Sequence, residues 1–285
     1  MDGFLFVNKE KNITSRSVCD EIGHFFNTKK VGHVGTLDPF ATGLLIVSIN
    51  KGTKAGTFFD DFDKRYIATL KLGEITDTLD TEGKIVNTKP VPDLNKEIVE
   101  TTLKSFLGKS MQTPPMTSAV HINGQKLYVL AHQGKEVERP SREIEIKDIN
   151  LISFENDIIK FDVKVSKGTY IRVLGKDIAE KLGTVGYLIE LERTELGPFS
   201  LEESKKLSMI KEENIHSVAD SLSRFCETVK VDSKEEADIK NGKILTIAKE
   251  SNFNKLLIIN SLNEAVAMYT RKKENDKFVF ARGLF

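Results

Sequence analysis

Two hydrophobic rhythms run along this chain, one of period two and one near 3.6 residues. GFLFVN (3–8) reads as a short strand. Ser15 then stands as a helix N-cap, with Val18, Ile22 and Phe25 or Phe26 following at helical spacing. GLLIVSI (43–49) predicts a buried strand, and KRYIATLKLG (64–73) alternates as another. NKEIVETTLKSFLG (95–108) carries the clearest helical pattern, with Gly108 expected at its C-terminal cap. Further on, IIKFDVKVS (158–166) alternates strictly, YIRVLGKDIAEKLG (170–183) predicts a helix, and VGYLIELER (185–193) a strand. Between these lies a stretch of different texture, residues 111–140. Its prolines, its glycines and the Asn123–Gly124 pair predict a loop-rich excursion with one short hairpin and one short helix.

A charged run, EESKKLSMIKEEN (202–214), separates this part from a tail. The tail offers short strands around VKV (229–231), KLLIINS (255–261), AVAMYT (265–270) and KFVFARG (277–283), with a short helix and turn in EEADIKNGKIL (235–245). That is the size of a small β-barrel module. Two domains are therefore expected, 1–215 and 216–285. Strands and helices interleave without a regular βαβ rhythm, which predicts an α+β fold around a mixed, mainly antiparallel sheet.

Composition narrows the class. The chain has 285 residues, 39% hydrophobic and 29% charged, as ordinary globular proteins do. No apolar run approaches the roughly 20 residues that span a bilayer, and MDGFLFVNKEKN lacks the basic-then-apolar layout of a signal segment. A cytoplasmic protein without membrane contact is expected. Cys19 and Cys226 lie far apart and the five histidines never fall at metal-ligand spacing, so neither a disulfide framework nor a metal is expected. Lys and Arg total 42, as do Asp and Glu, so net charge is zero. Unselective phosphate clamps are usually basic; any nucleic-acid binding here must come from local charge and shape.

The stretch richest in chemical signals is VGHVGTLDPFATGLL (31–45). Taken alone, Asp38 before a proline in a glycine-rich loop reads most readily as a turn former. A phosphate cradle does not fit, because neither a Gly-Lys-Ser/Thr ending nor Gly-x-Gly-x-x-Gly is present. The wider set of motifs changes this reading. GHVGTLDPFATGLL, DKRY (63–66), SKGTYIR (166–172) and LIELER (188–193) occur in that order, together with LGEITDTLDTEG (72–83) and QTPPMTSAVHINGQKLYVLAHQGKEVERP (112–140). Together they resemble the TruB family of tRNA pseudouridine synthases, from Phe4 to about Pro198 and faintly beyond.

That resemblance implies a pseudouridine synthase fold with a small PUA-like RNA-binding module at the C-terminus, and isomerisation of uridine at conventional position 55 in the tRNA T-loop. Asp38 matches the catalytic aspartate. Arg172 matches the arginine that pairs with it, which would lower the carboxylate pKa. Tyr66 matches the tyrosine that stacks on the flipped base and takes its C5 proton. Tyr170 and Leu191 match pocket residues, and His33 the histidine that meets the RNA loop. Lys9, Gly32 and Gly35 fall in substrate-binding motifs. The reaction is redox-neutral, so one ionised carboxylate suffices and no cofactor is implied. The 111–140 segment matches an RNA-gripping insertion, favouring a stand-alone monomer that acts on the tRNA T-arm without an obligatory protein partner. Two other readings stay open: an RNA-guided synthase, and a tRNA folding chaperone beside or instead of catalysis. The first motif departs from the family pattern. NKEKNITS (8–15) has Asn8, Glu10 and Asn12 where Asp, Pro and Gly are typical, which puts the support of the catalytic loop in question.

Overall fold

Alternating Val, Ile and Phe favour extended chain because branched and aromatic side chains pack well on a pleated surface. In the computed structural model, which describes residues 1–118, 121–122, 125–127, 137–243, 251–272 and 277–285, such runs become most of the strands. The chain opens with β1 (Gly3–Lys9), α1 (Ser15–Phe25), β2 (Val31–Val34), β3 (Thr42–Ile49), α2 (Gly52–Ala55) and β4 (Lys64–Leu72). β5 (Glu74–Thr76), β6 (Ile85–Thr88), α3 (Lys96–Lys104), β7 (Gly108–Gln112), β8 (His121–Ile122) and β9 (Gln125–Lys126) follow. Then come β10 (Arg142–Glu155), β11 (Ile158–Val165), α4 (Ile171–Lys181), β12 (Gly186–Leu196), β13 (Phe199–Ser200), β14 (Lys205–Lys206) and β15 (His216–Ser217). The last described elements are α5 (Val218–Ser223), β16 (Glu227–Lys230), α6 (Ser233–Lys240), β17 (Lys255–Ile259), β18 (Ala265–Arg271) and β19 (Phe278–Gly283).

Eleven strands form one sheet in the order β14-β1-β3-β12-β4-β11-β10-β7, with β2 on β3, β13 on β12 and β15 on β1. β1–β14 and β3–β12 are parallel and the other pairs antiparallel. This is the mixed, mainly antiparallel α+β fold that the sequence predicts. A second sheet, β16-β17-β18-β19, makes the C-terminal part β-rich. Among the described residues no helix is long and apolar enough to cross a membrane.

Period two in β1 and β3 feeds two cores at once. Leu5, Val7, Leu45 and Val47 point to one side, where Val18 and Ile22 of α1, Val99 and Leu103 of α3 and Leu174 and Ile178 of α4 join them. Phe4, Phe6, Leu44 and Ile46 point to the other, into an aromatic core with Phe59 and Phe199. Leu257 and Met268 of the second sheet belong to that same core. Ring centroids of Phe59 lie 4.8 Å from Phe4, 5.5 Å from Phe199 and 5.1 Å from Phe225. The second sheet is thereby packed against the back of the strands that carry the site.

Several boundaries differ from the sequence reading. Thr14, not Ser15, caps α1, accepting the Ser17 amide at 2.9 Å. The helix expected over 95–108 stops at Lys104, and Gly108 (φ +97°) opens β7 instead of capping it. The excursion at 111–140 is narrower than expected, since Met111 and Gln112 pair with β10 in the main sheet. Its expected hairpin has both arms, β8 and β9, while Asn123–Gly124 and the expected helix lie outside the described residues. The helix expected within 235–245 is α6, ending at Lys240, and residues 244–245 are outside the description. β15 pairs with β1, so residues 216–217 continue the main sheet and the second sheet begins only at Glu227.

Candidate active site

Asp38 sits in the turn between β2 and β3, and the turn is anchored on both sides of it. Before it, the Leu37 amide donates to Ser15 Oγ at 2.9 Å and the Ser15 hydroxyl donates to the Leu37 carbonyl at 3.0 Å. After it, the Pro39 carbonyl accepts the Asn12 amide at 2.8 Å and Lys9 Nζ at 3.2 Å. The divergent first motif therefore still performs its support. Asn12 holds φ +68°, a left-handed conformation that Asn tolerates better than most residues, so it can stand where Gly is typical. Gly43 (φ +101°) is required differently: a Cβ there would lie 2.4 Å from the Arg193 carbonyl oxygen, where β3 and β12 come together.

Lys9 was expected to bind substrate, and the structure places it elsewhere. It is fully buried, and Nζ donates to the carbonyls of Glu10 (2.9 Å), Ile13 (2.8 Å) and Pro39. An ammonium has three donors, and all three are spent on backbone. Lys9 braces the Asp38 turn from beneath. Burial pushes its pKa down to about 8, with the Asp38 charge opposing.

Arg172, in the first turn of α4, reaches the turn from the opposite side. Its Nε lies 2.8 Å from Asp38 Oδ2, and its Nη1 3.2 Å from Asp80 Oδ2. Nη1 also donates to the Thr78 carbonyl (2.8 Å) and Thr117 Oγ1 (2.7 Å), and Nη2 to the Thr117 carbonyl (2.9 Å). The Arg172 side chain is 3% exposed, against 33% for Asp38. One carboxylate is thus partly open to solvent while its cation stays inside. The pairing lowers the Asp38 pKa as expected, but burial outweighs it. Burial pushes the Asp38 carboxyl above its ordinary value, Arg172 pulls it back, and Asp80 adds to the rise.

Asp80 was not singled out from sequence, although it lies within LGEITDTLDTEG. It is 2% exposed and accepts Thr78 Oγ1 at 2.6 Å and the Glu82 amide at 3.0 Å. The preceding Leu79 holds φ +64°, costing about 1–2 kcal/mol for a residue with a Cβ. Its carbonyl accepts the Leu188 amide at 3.1 Å, tying this turn to the chain around β12. Nothing in spacing marks such a residue, because an acidic side chain in a polar turn usually faces water.

Tyr66 lies on β4, opposite Arg193 of β12, and Leu191 lies opposite Ala68 in the same ladder. Both Tyr66 and Leu191 are buried. Burial pushes the Tyr66 phenol up, the adjacent Arg193 guanidinium opposes this, and the Asp38 charge adds to the rise. Tyr170 precedes α4, where the Gln112 side chain takes its amide (2.8 Å) and donates to its carbonyl (3.1 Å). Arg142 lies over its ring, 4.8 Å from the centroid. His33 and Gly32 are on β2, paired with Val47 and Ser48. Gly35 (φ +64°) follows, its carbonyl accepting Arg193 Nη2 at 2.8 Å. The fold thus gathers Asp38, Arg172 and Tyr66, with Asp80 and Lys9 as supports. Among the described residues no three His, Cys, Asp or Glu side chains form a metal set.

This geometry agrees with what the chain resembles. The model for the N-terminal domain of the TruB family pseudouridylate synthases matches residues 24–171, just over half of the chain. The chain belongs to the TruB family. It is 44% identical over 232 residues to the tRNA pseudouridine synthase B of Francisella tularensis subsp. novicida (strain U112), covering 80% of this chain and 77% of the relative. The enzyme of the same name from Hydrogenovibrio crunogenus (strain DSM 25203 / XCL-2) is 45% identical over 211 residues, covering 74% and 70%. Among solved structures, a chain of a Cbf5-Nop10-Gar1 complex matches with a TM-score of 0.75 at 23% identity, covering 99% of this chain and 85% of that one. A chain of an H/ACA RNP bound to a substrate RNA containing 2′-deoxyuridine gives 0.73 at 21%, with 99% and 85% covered. These two likenesses show a common fold.

One prediction follows from the TruB-type site itself. Asp80→Asn removes a negative neighbour, which eases ionisation of Asp38, and it frees Arg172 to serve Asp38 alone. Both effects lower the Asp38 pKa, so the acid limb of the single-turnover rate should move to lower pH. Loss of one Arg172 anchor should also slow the rate near neutrality by roughly 10- to 100-fold. A rate profile between pH 4 and 8 checks both; an acid limb that stays or moves upward counts against the arrangement.

Proposed function

We propose that this protein isomerises uridine to pseudouridine at position 55 in the T-loop of tRNA. The observation that carries the reading is the Asp38–Arg172 pair: a partly open carboxylate on a turn fixed at both flanks, with its cation buried behind it. The names of the relatives supply the substrate class, tRNA.

The chemistry follows from these parts. A uridine inside a folded loop must leave its stack before a buried site can act on it. The flipped base enters beside Tyr66, Tyr170 and Leu191. Asp38, ionised and held by Arg172, assists cleavage of the N1–C1′ bond. The freed uracil turns, C5 bonds to C1′, and the C5 proton passes to Tyr66 while N1, released from C1′, takes up a proton. No electrons are gained or lost overall, so the isomerisation needs no redox cofactor. A preset turn matters because misplacement of a reacting group by about 1 Å can cost about 100-fold in rate. His33 and the glycines of β2 meet the RNA loop, residues 111–140 grip the T-arm, and the C-terminal sheet is a PUA-like second contact. Shape and flipped bases rather than bulk charge provide the recognition, consistent with zero net charge.

The protein acts alone and as a monomer in the cytoplasm. The fold likeness to the Cbf5 chains keeps an RNA-guided reading in view. Two observations favour the stand-alone enzyme over it: the 111–140 segment, and 44% identity to relatives named tRNA pseudouridine synthase B. Chelator-treated protein incubated with an unmodified tRNA transcript should yield one pseudouridine, at position 55, without guide RNA, metal or partner. No product, product at another position, or product only after metal or guide RNA is added would overturn this reading.

A further inference from the structure

Arg193 is fully buried, and of the largest side chains with no exposure it heads the set. Its Nε donates to the Leu44 carbonyl and its Nη2 to the Gly35 carbonyl, both at 2.8 Å. Among the described residues no carboxylate lies within ion-pair reach of it. The charged groups that act with it are themselves basic: Lys9 from β1, Lys64 from β4 and His33 from β2. A buried guanidinium without a counter-ion is heavily penalised, and an arginine cannot escape by losing its proton. Two backbone carbonyls satisfy donors but do not neutralise the charge. Among the described residues the one ionisable acid that acts on it is the phenol of Tyr66, its partner across the β4–β12 ladder.

We propose that Arg193 is a positioning residue that holds Tyr66 as the acceptor of the uracil C5 proton by stabilising its phenolate. The inference rests on the reading of the site as a pseudouridine synthase and deepens it. After C5 has bonded to C1′, it carries both that bond and its hydrogen. A neutral phenol is a poor base, and a phenolate is a strong one. The phenolate oxygen takes the C5 proton, and the electron pair of the C–H bond restores the C5–C6 double bond of the ring. The resulting phenol returns its proton towards N1, directly or through water, so the base gains and loses nothing. Burial disfavours the phenolate most, Arg193 offsets it and Asp38 adds to the opposition, so Arg193 is the group that keeps the phenolate within reach. Arg193 also ties the Gly35 and Leu44 carbonyls, the two ends of the catalytic turn, so the acceptor and the turn share one anchor.

The test is a double-mutant cycle read over pH. Single-turnover rates are measured from pH 6 to 10 for the parent, Tyr66→Phe, Arg193→Gln and the double variant, on unmodified tRNA. If Arg193 works through the phenolate, Arg193→Gln slows the reaction at neutral pH by at least about 100-fold. That deficit then shrinks as rising pH ionises the phenol unaided. Tyr66→Phe with Arg193→Gln is no slower than Tyr66→Phe alone. A pH-independent deficit, or two effects that multiply, shows that Arg193 only pins the turn and overturns the proposal. Should Arg193→Gln fail to fold, Arg193→Lys keeps the charge and gives a smaller deficit with the same pH trend; a flat deficit there overturns it equally. Tyr66→Phe at the parent rate removes the acceptor and overturns it too. A parent protein that makes no pseudouridine is a different failure, that of the underlying reading.

Discussion

Asp38→Asn is expected to lower pseudouridine formation by at least about 10⁴-fold, the scale of losing a reacting group that other residues serve. The substitution keeps the size of the side chain and most of its hydrogen bonding. The turn should survive, because it is held through Leu37 and Pro39 rather than through the Asp38 side chain. What disappears is the negative charge opposite Arg172 and the oxygen proposed to engage the substrate. Binding of tRNA should stay within about threefold of the parent, since positioning contacts to phosphate and sugar lie elsewhere on the surface. Filter binding beside a single-turnover assay separates the two quantities. If Asp38 were only a turn former, Asn would replace it well, and near-parent isomerisation would overturn the catalytic assignment.

Arg172→Ala is expected to damage folding as well as catalysis. The guanidinium is 3% exposed and holds Asp38, Asp80, Thr78 and Thr117 together. Its loss leaves two carboxylates facing each other without a cation, one of them buried. Removing one partner of a buried ion pair costs about 3–5 kcal/mol. Urea titration should show that loss as a lower midpoint, with pseudouridine formation falling in parallel. The pH dependence has a definite sign. Without Arg172 the burial and the Asp80 charge that raise the Asp38 carboxyl lose their main opponent, so the variant gains relative stability below the unfolded value of Asp38 and loses it as pH rises through the folded one. Its deficit should therefore be smaller at pH 5 than at pH 7.5. Adding Asp80→Asn to Arg172→Ala should restore part of the stability. Additive losses instead would mean that Asp80 and Arg172 do not share a network.

Much of this architecture was legible because hydrophobic period and strand burial agree. β1, β3, β4, β11, α1 and α4 all fall where alternation or helical spacing places them. β10 escaped notice although it is 14 residues long. Its buried Ile144 and Ile146 alternate, but a register shift between Ile146 and Asp148 moves the inward set to Ile149, so the period breaks in mid-strand. Gly108 misled for another reason: positive φ serves a strand entrance as well as a helix cap. In the site, the motif residues, Lys9 among them, could be named from resemblance, yet the supporting roles could not. Ser15, Lys9, Asp80 and Arg193 are polar residues whose partners are backbone carbonyls, a neighbouring turn or a strand across the sheet. The contacts that decide these roles, Ser15 to Leu37, Lys9 to Pro39, Asp80 to Arg172 and Arg193 to Gly35 and Leu44, join positions far apart in the chain, and local pattern carries no trace of them.

The aromatic core behind β1 and β3 ties the fate of the tail to that of the catalytic turn. Phe4 and Phe6 sit on the same strand that ends in Lys9, and Leu257 and Met268 of the second sheet, with Leu284 just beyond it, share their core. A premature stop ahead of Glu227 would uncover this seam and turn phenylalanine rings to water. Such a chain would be an easy target for cellular quality control long before its chemistry mattered. Lesions near the C-terminus should therefore behave as loss of the whole protein, and the reacting centre cannot be inherited as a shorter, self-sufficient piece.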